Sequence, residues 1–333
     1  MKAYHISETS GLGGLVMRDS PTPTPDPYEA LVRIKARSVN FRDLLILNGR
    51  YPVPARPNVI ALSDGAGEVV AVGERVTRVK IGDRVAATYF PRWLDGRLAM
   101  GFVLDQFGAT RDGVLAEFVA APESALVQLP SHLSFEEGAA LPCAAVTAWS
   151  CLTGPRPVLP GETVLTIGTG GVALFALQLA RTFGAQVISL TSSEEKARRL
   201  HDLGATHVIN YKAHPDWERF VREHTGGHGA DHIVETGGPD TLPHSLASAA
   251  VDGQVALVAA LAAATLDTRY LGAPLSIRRL YVGSRASFEA MNRAIAHHRI
   301  HPVLDRTVPF AEAPEALRWF EAKGHVGKVI IGK

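Results

Sequence analysis

The stretch Thr163–Ala180 reads TVLTIGTGGVALFALQLA. The run VLTI ends in three glycines within four residues, GTGG, and an apolar, helix-favouring segment follows at once. Strand, glycine turn, helix is the local shape that cradles a phosphate, because the first amides of a helix point outward and its dipole favours negative charge. In the pattern G-x-G-x-x-G/A the first small residue permits the tight turn. The second lets backbone approach a pyrophosphate, and the third lets helix and strand pack closely. Gly168, Gly170 and Ala173 occupy those places, with Thr169 between the first two. The N–H groups of Gly170, Gly171 and Val172 are expected to face the pyrophosphate. A bare βα turn would show the same glycines, so context decides.

The flanking segments supply that context. Strand 163–167, helix 172–183, strand 186–190 and helix 194–203 alternate, and further strands read at 207–211, 232–236 and 254–260. Strands alternating with helices at this spacing build βαβ units on a parallel sheet. The choice of cofactor is read at the end of the second strand, where NAD sites usually place Asp or Glu for the ribose 2′-OH. Here the strand ends Leu190-Thr191-Ser192-Ser193, without an acid. Ser192 and Ser193 offer hydroxyls to a 2′-phosphate, and Lys196, one turn into the next helix, offers a cation. Glu194 and Glu195 oppose this, but acids at a helix start are also favoured by the dipole alone. NADP(H) is the expected cofactor.

The N-terminal part has a different texture. EALVRIKARSV (29–39) alternates like a half-buried strand. DGAGEVVAVGERVTRVKIGDRVAAT (64–88) has short Val-rich strands punctuated by glycine turns, as a small β-barrel does. SFEEGAALPCAAVTAWSCL (134–152) reads as helix, with Ser134 and Glu137 as a capping box. Two further helices (287–299, 313–324) and a strand (328–332) close the chain. With 34 basic and 33 acidic residues the net charge is +1, which argues against a nucleic-acid or membrane-binding face. Two cysteines cannot build a disulfide scaffold or a four-cysteine zinc site. The longest apolar stretch (255–266) is too short for a membrane span and the start is unlike a signal peptide, so a cytoplasmic location is expected.

The motifs VNFRDLLILNGRYP (39–52), DGAGEVVAVGERVTRVKIGDRV (64–85), GVLAEF (113–118), LPCAAVTAW (141–149), GTGGVALFALQLA (168–180), SSEEKARRLHDLGATHVINY (192–211) and GKVII (327–331) together carry a resemblance. The chain resembles the medium-chain dehydrogenase/reductase superfamily, most closely its zinc-independent quinone oxidoreductase (ζ-crystallin-like) branch. The resemblance implies an α/β protein: a GroES-like β-barrel catalytic domain (1–125, completed by 268–333) plus a doubly wound Rossmann NADP-binding domain (126–267). It implies an active site in the cleft between them, and a homodimer joined near 255–285. The places of the superfamily's catalytic zinc ligands fall on Asn40, Ser63 and Cys143. One soft ligand in three cannot hold a tetrahedral zinc. The loop 90–112, where four structural cysteines often sit, has none. No metal is expected.

By the same resemblance Asn40 and Asp43 lie near the nicotinamide and its ribose, with Asp43 alternatively anchoring its loop to backbone or to Arg42. Thr147 would meet the nicotinamide side, and Tyr211 would stack near the adenine ribose or phosphate. Val258 and Ala259, and Tyr281, Val282 and Gly283, would line the nicotinamide with backbone. Lys328 would touch the pyrophosphate or be solvated. Asp64 replaces the usual Glu and would organise the vacated zinc pocket. The cofactor carries the hydride. A site without zinc favours acceptors that are already electrophilic, and Asn40, Ser63 and Tyr51 are candidate donors to the developing oxyanion. The expected partner is a small carbonyl, enone or quinone. An alcohol dehydrogenase or enoyl-thioester reductase on the same scaffold is one alternative, and an NADPH-binding structural or sensor protein another. Phe90, Trp93 and Phe102 either shape an apolar pocket or pin their loop. His297, His298 and His301, and the histidines of HTGGHGADH (224–232), are expected as solvated surface.

Overall fold

The computed structural model of the protein describes residues 1–258 and 274–332. Ala259 and the expected domain boundary at 267/268 lie outside the described residues. The chain forms two compact units, Thr147–Val282 and Met1–Val146 with Gly283–Lys333.

The unit Thr147–Val282 holds a six-stranded sheet in the order His207–Asn210, Gln186–Thr191, Thr163–Ile167, Ala230–Glu235, Ala249–Leu257, Leu275–Arg279. Every pairing is parallel. The strand order therefore reverses between Thr163–Ile167 and Ala230–Glu235, the switch point at which doubly wound sheets bind ligands. Thr163–Ile167 is buried at every residue, as a central parallel strand covered on both faces must be. Leu165, Ile188, Ile233 and Val255 from the sheet pack with Trp217, Val221 and Leu246 from the helices. The edge strand Leu275–Arg279 was not legible in SIRRL. Its pairing with Ala249–Leu257 carries this unit to Val282, past the expected boundary.

The other unit is built on a seven-stranded sheet. Its main path runs Leu304–Pro309, Lys328–Gly332, Glu29–Ser38, Asp64–Val72, Arg84–Ala87, Leu126–Gln128, and Phe118–Pro122 pairs with Glu29–Ser38. Val32, Ile34, Val85, Val119, Ala121 and Leu126 from four of these strands line one apolar interior. The boundary expected at 125/126 moves to 146. Leu126–Gln128 pairs with Arg84–Ala87, and the short helix Phe135–Ala139 packs on the same sheet. Its capping box is present: Ser134 Oγ accepts from Glu137 N (3.2 Å), and Glu137 Oε2 accepts from Ser134 N (2.7 Å). The helix does not run on unbroken to 152. A π-helical turn, Leu141–Ala145, intervenes before Val146–Thr153. Pro142 has no N–H to give an α-helical ladder, which breaks the regular pattern there. Among the described residues no helix is long and apolar enough to cross a membrane.

Candidate active site

Gly168 follows the central strand with φ +82°, a left-handed conformation that glycine adopts without penalty. Its N–H bonds Leu190 O at 3.0 Å, tying the turn to the neighbouring strand. Gly170 caps the helix Gly171–Thr182 in extended conformation (φ −76°, ψ 172°). A Cβ placed on Gly170 would meet no atom within 4 Å. The Cβ side of Gly170 thus borders open space, while Ala173 is buried at 1% exposure.

Parallel pairing brings the C-terminal ends of the strands to one edge of the sheet, and Gly168, Ser192, Tyr211 and Val258, each next after a strand, stand there. Ser193 caps the helix Glu194–Asp202, its Oγ accepting from Lys196 N at 3.3 Å. Its hydroxyl proton stays available to a further acceptor. Ser192 and Lys196 are half-buried, and Arg199 is exposed. Glu194, the nearest acid, accepts from Asn210 Nδ2 (2.7 Å). Tyr211 is exposed, its N–H bonded to Thr191 O (3.0 Å). Val258 N–H bonds Glu235 O (2.9 Å). Tyr281 is exposed with the Arg279 guanidinium 5.3 Å from its ring centre. Val282 is buried at φ +48° and ends this unit; Thr147 is buried at its start, and Gly283 opens the return to the other unit.

Glu235, absent from the sequence expectations, closes this edge. It is fully buried. Its Oε1 accepts from Gly237 N (2.7 Å), Gly238 N (3.0 Å) and Thr241 Oγ1 (2.7 Å), and its Oε2 accepts from Ser245 Oγ (2.5 Å). The loop so held returns Thr236 Oγ1 to Ile167 O (2.5 Å), next to Gly168. An acid ending an apolar strand before Thr-Gly-Gly was the available signal.

A second polar cluster lies inside the Met1–Val146 unit. Asn40 precedes the helix Phe41–Leu47, and Asp43 Oδ2 accepts from Asn40 N (2.8 Å). Arg42 Nη1 stands 3.5 Å from Asp43 Oδ1, so both structural anchors considered for Asp43 exist. Burial raises the Asp43 carboxyl to about 6, outweighing the opposing pull of Arg42, the Asn40 N–H and Lys328. Arg42 is itself buried. It donates to Phe107 O (2.8 Å) and Gln106 Oε1 (3.1 Å), with the Tyr51 and Tyr89 ring centres 5.1 and 5.0 Å from its guanidinium. Gln106 Oε1 also accepts from Tyr51 OH (3.1 Å) and Tyr89 OH (3.2 Å), and the two hydroxyls are 2.9 Å apart. Gln106 Nε2 donates to Val103 O, which fixes its amide. Arg42, Tyr89 and Gln106 were not expected as site residues. They meet through the fold of 90–112, which local pattern does not reach. In that loop Phe90 is buried against Tyr89 (4.6 Å) and Trp93 (6.0 Å) and pins the chain, while Trp93 and Phe102 are half-buried.

Several expectations change. Ser63 Oγ donates its single proton to Asp64 Oδ1 (2.7 Å), so as placed it has none for a substrate oxygen. Asp64 Oδ2 accepts from the half-buried Cys143 N–H (2.9 Å), which ties the three together. Lys328 is not solvated: it is 2% exposed, with Nζ bonded to Val39 O (2.7 Å) and Asn40 Oδ1 (2.5 Å). Its ammonium is committed inside this unit rather than open to a phosphate. His232 is not a surface residue but is 1% exposed and bonded to Glu162 (3.0 Å), because Ala230–Glu235 is a central strand. His297 and His298 are exposed, as expected; His301, also exposed, pairs with Glu137 (2.7 Å). Among the described residues no three His, Cys, Asp or Glu side chains form a group able to hold a metal ion.

Residues 26–131 match the alcohol dehydrogenase GroES-like domain family, and residues 171–297 match the zinc-binding dehydrogenase family. The chain is 41% identical to a zinc-type alcohol dehydrogenase-like protein of Schizosaccharomyces pombe, over 97% of this chain and 96% of that one. It is 36% identical to a quinone oxidoreductase of Pseudomonas aeruginosa, over 74% and 69% of the two. A mycobacterial protein solved in complex with NADPH superposes with TM-score 0.84 at 31% identity, covering all of both chains.

Proposed function

The chain belongs to the medium-chain dehydrogenase/reductase superfamily, and from that premise we propose that it is a zinc-independent, NADPH-dependent reductase of quinones or α,β-unsaturated carbonyls. The observation that carries this reading is the donor chemistry of the buried cluster. At the three superfamily ligand places stand an amide whose oxygen holds an ammonium, a hydroxyl spent on a carboxylate, and one cysteine. That set does not fit a tetrahedral zinc, which takes thiolate, imidazole or carboxylate ligands. The unused Asn40 Nδ2 does fit a site that donates a hydrogen bond to an oxygen gaining charge.

The acid-free strand end at Thr191–Ser193 supports NADPH over NADH, as does the likeness to a relative solved with NADPH. NADPH, when bound, supplies the hydride. The amides of Gly170, Gly171 and Val172 would hold the pyrophosphate, and Ser192, Ser193 and Lys196 would hold the 2′-phosphate. The Asn40 Nδ2 donor receives the carbonyl oxygen as it becomes an enolate or phenolate. Tyr51 would deliver the proton that completes reduction by turning its hydroxyl from Gln106 Oε1 to the substrate, leaving Tyr89 to donate to Gln106, and solvent would restore the proton. The test is NADPH absorbance followed with a panel of quinones and enones, beside NADH and beside metal analysis of the purified protein. Turnover with NADPH preferred and no stoichiometric zinc is the expected result. Tight binding without oxidation would turn the reading to a binding protein, and one zinc per chain would overturn the mechanism.

A further inference from the structure

We propose that Lys328 is the positioning residue of this site: its ammonium fixes the Asn40 amide so that Nδ2 is presented as a donor to the substrate carbonyl oxygen. The inference rests on the reductase reading for the identity of that oxygen, and on geometry alone for the orientation of the amide. An ammonium has three donors and no acceptor. The Asn40 atom 2.5 Å from Lys328 Nζ is therefore the carbonyl oxygen, and Nδ2 faces away from it. A second bond, to Val39 O at 2.7 Å, anchors the ammonium beside Asn40.

The opposite end of the amide is the telling part. Asn40 is 6% exposed, yet its Nδ2 has no hydrogen-bond partner. A buried donor left without an acceptor is uncommon and calls for a reason. Of the neighbouring carboxylates, Asp43 accepts the Asn40 backbone N–H on Oδ2 and faces Arg42 Nη1 with Oδ1 at 3.5 Å, and Asp64 accepts Ser63 Oγ and Cys143 N. A charged partner on the amide oxygen also draws electron density from the nitrogen and strengthens its N–H groups as donors. The pair thus offers a polarised, oriented donor from within the protein, as an oxyanion site requires.

Lys328→Met, Asn40→Asp and the double variant decide the matter on the best acceptor of the panel. Asn40→Asp keeps the lysine contact and removes the donor, so kcat should fall about a hundredfold. Lys328→Met should lower kcat about tenfold or more, with Kd for NADPH, read by fluorescence, within about twofold. The double variant should be no worse than Asn40→Asp, because the lysine acts through the asparagine. Losses that multiply, or an unchanged kcat in Lys328→Met, would overturn the proposal. Orientation is read separately from turnover. In 15N-asparagine-labelled wild type the side-chain amide signal lost in Asn40→Asp identifies Asn40, and a crystal structure resolving amide O from N should place Oδ1 on Lys328. A crystal with Nζ turned away from Asn40 would also overturn the proposal, even if Lys328→Met fails to fold. If no acceptor oxidises NADPH, the reductase reading fails while the orientation stands or falls on these two measurements.

Discussion

Glu235→Gln tests whether one buried carboxylate holds the ligand edge of the parallel sheet. Four donors converge on Glu235: two backbone N–H groups and two hydroxyls. Hydrogen bonds to a charged group contribute about 1.5–3 kcal/mol each, against about 0.5–1.5 for neutral pairs. Glutamine keeps the shape. Its oxygen takes the Oε1 place with three donors, and its nitrogen faces Ser245, whose hydroxyl turns to accept. What is lost is the charge on four bonds, about 1 kcal/mol for most of them, or about 3 kcal/mol in all. For a domain of this size that lowers the melting temperature by roughly 6–12 °C. Differential scanning fluorimetry and urea denaturation at neutral pH measure it, with Asp240→Asn in the same loop as the exposed control. NADPH affinity should fall as well, because the loop 236–241 reaches Ile167 O beside Gly168. A Glu235→Gln protein that melts within about 2 °C of wild type would refute the charge-on-four-donors account, and unchanged NADPH affinity would refute its link to the turn.

Other substitutions separate fold from function. Gly170→Ala should leave stability within about 0.5 kcal/mol, since φ is −76° and a Cβ meets nothing. It should weaken NADPH binding, read by titration, because the methyl stands where backbone must approach the pyrophosphate. Ser193→Ala should cost about 1 kcal/mol through the lost helix cap, seen as a lower denaturation midpoint. Lys196→Ala should leave stability nearly unchanged; both should raise KM for NADPH more than for NADH. Burial raises Asp43 from 3.8 to about 6, so the folded state favours its protonated form. That contribution is present below about pH 4 and lost as pH rises through about 6, a swing of about 3 kcal/mol. Urea denaturation of wild type and Asp43→Asn at several pH values should show the stability gap between them changing over this window and flat above it.

The parallel sheet was legible because buried strands such as Thr163–Ile167 read as short apolar runs between turn signals, and the glycine turn fixed which strand leads. The edge strand Leu275–Arg279 was not, because SIRR has the charge of a surface segment and becomes strand only by pairing with Ala249–Leu257. Asn40, Asp43, Ser63 and Asp64 were named by resemblance, and the structure gathers them with Lys328 and Arg42 around one buried cluster. Lys328 itself read as touching the pyrophosphate or as solvated, since lone lysines usually are. Its place follows from a register that no local window contains. Ile330 pairs Ser38 and Ile331 pairs Arg37, so Lys328 comes to stand against Asn40. Gln106 and Tyr89 were hidden for the same reason: their partners lie on the helix 41–47 and just beyond it, far away in sequence.

The strand Lys328–Gly332 has a consequence for how the chain is made. It joins Glu29–Ser38 across nearly the full sequence, whereas Thr147–Val282 is one continuous segment. On the ribosome the continuous unit emerges whole and can fold as a unit. The other waits for its last strand, and contacts so distant along the chain form late. Asn40 is synthesised early but gains its ammonium only when residue 328 has cleared the exit tunnel. The nascent chain can therefore complete its dinucleotide fold before its buried polar cluster exists.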